Sequence, residues 1–183
     1  MEEIFMAQPK LETIREIQTA IKGSNKILAS RVRSWLRHRS LKVLDAVTSL
    51  IMEQSWRVDP PLSMEETCSA VQEYYRQCLI QNLDTEYAPN RSIAGLELVG
   101  WFRALWRDPV VPRQYLVRLK TMLFDLCVQN KVPQDQMAGA VLEHLFEVPE
   151  IQDFFAEWKC DPRLSEAFRL AKEWGNDHLA KSP

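Results

Sequence analysis

The chain predicts an all-α fold, a compact bundle of about eight or nine helices, and three observations carry that prediction. Apolar side chains recur at helical spacing over most of the length, as in Leu11/Ile14/Ile17/Ile21 and Leu116/Leu119/Met122/Leu123/Leu126. No segment alternates apolar and polar residues for long enough to argue a strand, and only five glycines are present to make hairpin turns. A corner of tryptophan, a basic residue and Asp-Pro appears three times: Trp56-Arg57-Val58-Asp59-Pro60, Trp106-Arg107-Asp108-Pro109 and Trp158-Lys159-Cys160-Asp161-Pro162. Asp accepts bonds from the free N–H groups of a first helical turn, and proline suits the first helical position. The tryptophan is expected to pack inward and close the preceding helix.

Each element follows from its own residues. The stripe Leu11–Ile21 ends at Gly23-Ser24-Asn25, so residues 1–23 read as a peripheral N-terminal helix. Residues 25–57 carry two stripes, Ile27/Leu28/Val32/Trp35/Leu36 and Leu41/Leu44/Val47/Leu50/Ile51, and the pattern allows one long helix or two with a break near His38-Arg39-Ser40. Ser63 and Glu66 form a capping box ahead of a stripe that runs to about Asn82. Residues 84–91 read as the longest internal loop. Residues 93–106 are too densely apolar for an ordinary surface helix, which predicts a central position. After the break at 108–112, a helix runs to about Asn130, and Pro133, Pro149 and Pro162 each mark a first helical residue. Gly175 is the expected stop of the last helix, leaving 176–183 as a frayed tail.

A length of 183 residues suits a single all-α domain over 1–183, able to bury about 70% of its unfolded surface without a staple. Outside the three corners the fifty-residue similarity is thin, so recurrent corners are favoured over stacked helical hairpins. Cys68, Cys78, Cys127 and Cys160 form no CxxC and pair with no nearby histidine, and most sit at apolar helix positions, so buried small hydrophobes are expected for most of them rather than a disulfide framework, a metal or a cofactor. Met1-Glu2-Glu3-Ile4-Phe5 lacks the look of a secretory signal. The longest uncharged runs, such as Ala46–Met52, fall far short of the ~18 residues of a membrane span. A cytoplasmic protein without a membrane span is the expectation.

The chain contains no nucleophile elbow, no Walker A loop and no dinucleotide fingerprint. His144 and Glu147 share a helix face, but a di-iron bundle needs a second such pair and further carboxylates. What stands out is charge. No acidic residue lies between Ile17 and Leu44, where Lys22, Lys26, Arg31, Arg33, Arg37, Arg39 and Lys42 all fall, while residues 134–183 hold five Lys/Arg against ten Asp/Glu. Lys26, Arg31, Arg33, Arg37, Arg39 and Lys42 are therefore candidates for binding nucleic acid or another polyanion, with a solvated face or pairing against the acidic C-terminal third as alternatives.

Within that run Arg33-Ser34-Trp35-Leu36-Arg37-His38 resembles, over six residues, the Arg–His motif of HEPN-type helical ribonucleases. The resemblance implies joint action of Arg33 and His38 on an RNA backbone. The leading expectation is different: a non-catalytic module that binds another protein. Trp101, Trp106, Phe154, Phe155 and Trp158 are its candidate groove, because a helical chain rich in aromatics can offer a slot for an apolar helix.

Overall fold

The computed structural model describes residues 11–181, and within them the regular elements are helices apart from one pair of two-residue strands and an isolated bridge between Thr85 and Ala88. It divides into two compact units, residues 1–77 with 85–88 and residues 78–84 with 89–183. Residues 1–10 and 182–183 lie outside the described residues, including the start of the expected N-terminal helix and the end of the expected tail.

The first unit contains α1 (Leu11–Lys22), β1 (Ile27–Leu28), α2 (Ala29–Leu36), α3 (Leu41–Gln54), a 3-10 turn (Ser55–Arg57), β2 (Val58–Asp59) and most of α4 (Met64–Gln81). The two stripes of 25–57 are thus two helices. Arg37 and His38 close the last turn of α2 on the carbonyls of Ser34 and Trp35, and Arg39 then takes a left-handed φ of 48°, which no helix can continue. Ile17, Val32, Trp35, Leu44, Val47, Leu50, Val71 and Tyr75 fill this unit's interior. The sheet-free expectation needs one correction: β1 and β2 pair in parallel, Ile27 with Val58 and Leu28 with Asp59. Two residues are too few for alternation to show.

The first corner also departs from expectation. Trp56 points outward, 66% exposed, because Arg57 takes the inward place on the short turn and is 2% exposed. The Asp59–Pro60 bond is cis, and Pro60 precedes α4 by a loop rather than opening it. The capping box forms as read: Ser63 Oγ accepts the Glu66 N–H at 3.2 Å, and Glu66 Oε2 accepts the Ser63 N–H at 2.9 Å.

The second unit begins with the last turn of α4, followed by α5 (Arg91–Arg107) and α6 (Gln114–Val128). Next, Gln134–Met137, Ala138–Leu142 and Glu143–Phe146 run on without a break as α7, the middle five residues widened into a π-turn. Then come α8 (Pro149–Phe154), a 3-10 stretch (Ala156–Cys160) and α9 (Ser165–Lys181). Asn90 caps α5 by accepting the Ile93 N–H at 3.1 Å. Of the three prolines, only Pro149 begins its helix; Pro133 sits just before α7, and Pro162 lies in the turn before α9. The later Asp-Pro corners act locally: Asp108 and Asp161 each accept, through Oδ1, the N–H two residues on, at 2.9 Å in both cases.

The helix central to this unit is α7, not the segment 93–106, because α7 packs against both α5 and α9. Two glycines make those approaches possible. A Cβ on Gly95 of α5 would fall 2.0 Å from the Ala140 carbonyl oxygen, and one on Gly175 of α9 would fall 2.9 Å from that of Glu143. Gly175 is therefore a crossing point inside a helix that continues to Lys181, not a stop. Leu98, Phe102, Leu116, Leu119, Leu123, Met137, Phe155 and Trp158 form the interior. No described helix is long and apolar enough to cross a membrane.

Candidate interaction surfaces

The basic segment is stitched to its own unit at several points. Lys26 donates through Nζ to the Trp56 carbonyl at 2.5 Å and stands 5.9 Å from that indole ring. Arg31 pairs with Glu16 and lies 5.8 Å from the Trp35 ring. Arg33 forks onto Glu66, Nε to Oε1 at 2.5 Å and Nη2 to Oε2 at 3.2 Å. That guanidinium, followed by the Ser63 N–H, holds the Glu66 carboxyl down at about 2. Arg37 donates to Ser34 Oγ at 2.9 Å, and Lys42 Nζ sits 4.4 Å from the Tyr87 ring. Among the described residues no ion pair engages Lys22, Arg37, Arg39 or Lys42, all of them exposed. His38 is exposed, while Arg33, its partner in the ribonuclease resemblance, is committed to Glu66.

Arg57, counted in the sequence only as the basic residue of a corner, is the most confined charge of this unit. Its Nη1 donates to Ile21 O at 2.8 Å and to Gln54 Oε1; Nη2 donates to Ala20 O at 2.6 Å and Asn25 O at 3.0 Å; Nε donates to Asn25 O at 3.2 Å. All five guanidinium N–H groups are spent, mostly on carbonyls at the C-terminal end of α1 and just beyond it. A hollow of about 660 Å3 beside it is rimmed by Arg15, Glu16, Lys26 and Arg31. With its donors used and Arg31 held by Glu16, Arg57 is a cap for α1 rather than a ligand-binding arginine.

The five aromatics predicted to line a groove do not share one role. Phe155 and Trp158 are core, at 0% and 2% exposure. Trp101, Trp106 and Phe154 are half-buried. Trp106 and Phe154 meet edge to face at 5.5 Å, and each is covered by a cation of the same unit: Arg113 lies 3.9 Å from the Trp106 ring, and Lys120 Nζ 4.5 Å from that of Phe154. Lys120 is itself held by the Phe154 carbonyl and Glu157.

Besides Val110 and Val117, the exposed large apolar residues of this unit lie on the other side of α5. Ile93 and Leu96 are 46% and 51% exposed, and Glu97, Gly100, Ala104 and Arg107 continue the same outward row. Spacings of three and four residues put all six on one face. A Cβ on Gly100 would find nothing within 4 Å. Half-buried Trp101 and Arg103 border the row. The apolar density of 93–106, which predicts a central position, is thus split: Leu98, Val99, Phe102 and Leu105 face the interior, and the surplus faces out.

Of the reactive groups elsewhere, Cys160 is a free, exposed thiol, while His144, Glu147 and the other three cysteines are bonded or buried. His144 sits between two carboxylates, Nε2 3.2 Å from Glu143 and Nδ1 3.2 Å from Glu147, and Arg103 takes the other Glu147 oxygen at 2.8 Å. Burial works to raise the Glu147 pKa, but bonds from Arg103 and His144 outweigh it and leave the carboxyl below its ordinary value. Among the described residues no three of His, Cys, Asp and Glu gather as a metal site. Cys68, Cys78 and Cys127 are buried, and burial pushes the Cys127 thiol up to about 12, far from a reactive thiolate. No protein family, curated protein or solved structure shows a significant match to this chain.

Proposed function

We propose that the chain is a non-catalytic protein-interaction module and that the outward face of α5 is its binding surface. One observation carries this reading: a helix rich in apolar residues buries one row and holds a second, Ile93, Leu96, Gly100 and Ala104, open to solvent. Exposed apolar residues scattered singly need no explanation, but a contiguous row along a helix matches the anchor spacing of helix–helix recognition. Gly100 strengthens it, because an exposed glycine in mid-helix costs about 1 kcal/mol of helix propensity with no neighbour in its own unit to justify it.

The test is capture from cells with the wild-type chain, Leu96→Glu and Arg37→Glu as baits, followed by reconstitution with purified partner. A partner lost with Leu96→Glu and kept with Arg37→Glu supports the α5 surface; one indifferent to Leu96→Glu overturns it. Polyanion binding is the second reading, supported by the exposed cations Lys22, Arg37, Arg39 and Lys42, which form no ion pair among the described residues. It predicts the reverse pattern: loss with Arg37→Glu, and a steep fall in affinity with salt.

A further inference from the structure

We propose that the hollow between Asn82, Arg91 and the π-turn of α7 is a binding site for a phosphate-type oxyanion, held by hydrogen bonds from four side chains. The inference goes beyond the α5 surface and does not depend on it, since neither Ile93 nor Leu96 lines this space. The hollow measures about 430 Å3 and is lined by Asn82, Arg91, Ser92, Gln136, Gly139 and Ala140, all of the second unit. Gly139 and Ala140 lie in the widened turn, a helix irregularity that recurs at functional sites, and their small side chains leave the space open. Among these described residues there is one cation and no carboxylate.

The hydrogen bonds already made decide what the hollow can take. Asn82 Oδ1 accepts the Arg91 backbone N–H at 2.8 Å, and Gln136 Oε1 accepts from Arg91 Nη1. A backbone amide and a guanidinium can only donate, so both side-chain amides are fixed with their oxygens toward Arg91. Their NH2 groups make no other hydrogen bond among the described residues, and neither does the exposed Ser92 hydroxyl. Arg57 spends all its guanidinium N–H groups, but Arg91 does not. Besides Gln136 it reaches only Leu79 O, from Nε at 2.6 Å, and Ile80 O, from Nη2 at 3.4 Å, so one N–H on each terminal nitrogen is left. Burial holds this guanidinium below its ordinary pKa, and Asp135, which acts against that shift, forms no ion pair with it. A partly desolvated cation among unused donors favours a ligand made of charged acceptors. Two guanidinium N–H groups, two amide NH2 groups and a hydroxyl exceed the roughly four lone-pair sites of a carboxylate. They suit the three acceptor oxygens of a phosphoryl group.

Two-dimensional 1H–15N spectra of the full chain, with inorganic phosphate added at constant ionic strength, test this. The Asn82 and Gln136 side-chain NH2 signals are expected to shift together, with a Kd of about 1 mM or tighter. Gln136→Glu keeps an oxygen for Arg91 but replaces the donor with a carboxylate. It should weaken binding at least about tenfold without lowering the melting temperature. Lys131→Gln makes the same change in net charge from an exposed position outside the lining, and should alter affinity by less than about twofold. Acetate should bind at least about tenfold more weakly than phosphate. Phenyl phosphate separates the sources of the group: tighter binding assigns a monoester of a larger molecule, and equal or weaker binding assigns free phosphate. No localised shift at about 20 mM phosphate, an affinity indifferent to Gln136→Glu, an equal loss in Lys131→Gln, or acetate matching phosphate would each overturn the inference.

Discussion

At Arg57 a charge is held almost wholly by neutral acceptors. Three backbone carbonyls, those of Ala20, Ile21 and Asn25, and the Gln54 side chain converge on a guanidinium that is 2% exposed. Each carbonyl would otherwise be an unmatched acceptor at the end of α1 or in the turn after it, so the side chain acts as a C-cap delivered from 32 to 37 residues away. Arg57→Ala should lower stability by about 3 kcal/mol, read as a fall in the urea midpoint. Arg57→Lys should recover less than half of that, since an ammonium cannot present five donors in a fork. An unchanged midpoint in Arg57→Ala would show that water replaces the guanidinium without cost. Glu66 makes a second prediction at this scale. Its folded pKa of about 2 lies below the roughly 4.3 of an unfolded glutamate, so the unfolded chain binds the proton more readily. The stabilisation is therefore complete above that unfolded value and lost as pH falls toward 2. The gap in urea midpoint between wild type and Glu66→Gln should be present at neutral pH, close through that acidic window, and be modest, because the pair faces solvent.

Helices in the second unit are positioned by where they lack side chains. Gly95 and Gly100 sit on opposite faces of α5, and their alanine variants should move stability in opposite directions. Gly95→Ala drives a methyl into the Ala140 carbonyl and should cost about 2–3 kcal/mol despite the better helix propensity. Gly100→Ala, meeting nothing, should gain up to about 1 kcal/mol. Thermal melts of the pair check this, and destabilisation by both would mean that the outward face of α5 is not open. These glycines also mark where the sequence was legible and where it was not. Helix existence was readable throughout, because a 3.6-residue apolar period survives any tertiary arrangement, and the Ser63–Glu66 box was readable because both its partners are local. Gly175 looked like a stop, since sequence alone cannot distinguish a glycine that ends a helix from one that lets another helix approach. Trp56 and Trp158 occupy the same place in two similar corners, yet one is 66% and the other 2% exposed. The difference lies in whether the next residue, Arg57 or Lys159, has acceptors to bury itself against, and those come from distant segments. The α5 surface was half legible: apolar surplus in 93–106 was visible, but which residues carry it outward depends on the crossing at Gly95.

Across the whole chain the charge gradient is a fact of sequence whose use depends on pairing. Residues 1–60 hold ten Lys/Arg against seven Asp/Glu, but Arg31 and Arg33 already have carboxylates in Glu16 and Glu66. What remains for a polyanion is a smaller set, Lys22, Arg37, Arg39 and Lys42, on a molecule whose net charge is −2. A cation that must leave a carboxylate to reach a phosphate gains little, because one ion pair is exchanged for another. Any affinity for duplex nucleic acid should therefore follow this smaller set: Arg37→Glu with Arg39→Glu should abolish it, while Arg31→Gln should change it by less than about threefold. The salt slope should correspond to about three or four phosphates at most, well below that of a dedicated nucleic-acid-binding surface. Fluorescence anisotropy of a labelled duplex between low and physiological salt reads both quantities. A steep slope lost with Arg31→Gln would show that the Glu16 pair opens on binding, and would move the weight of function from α5 to the basic segment.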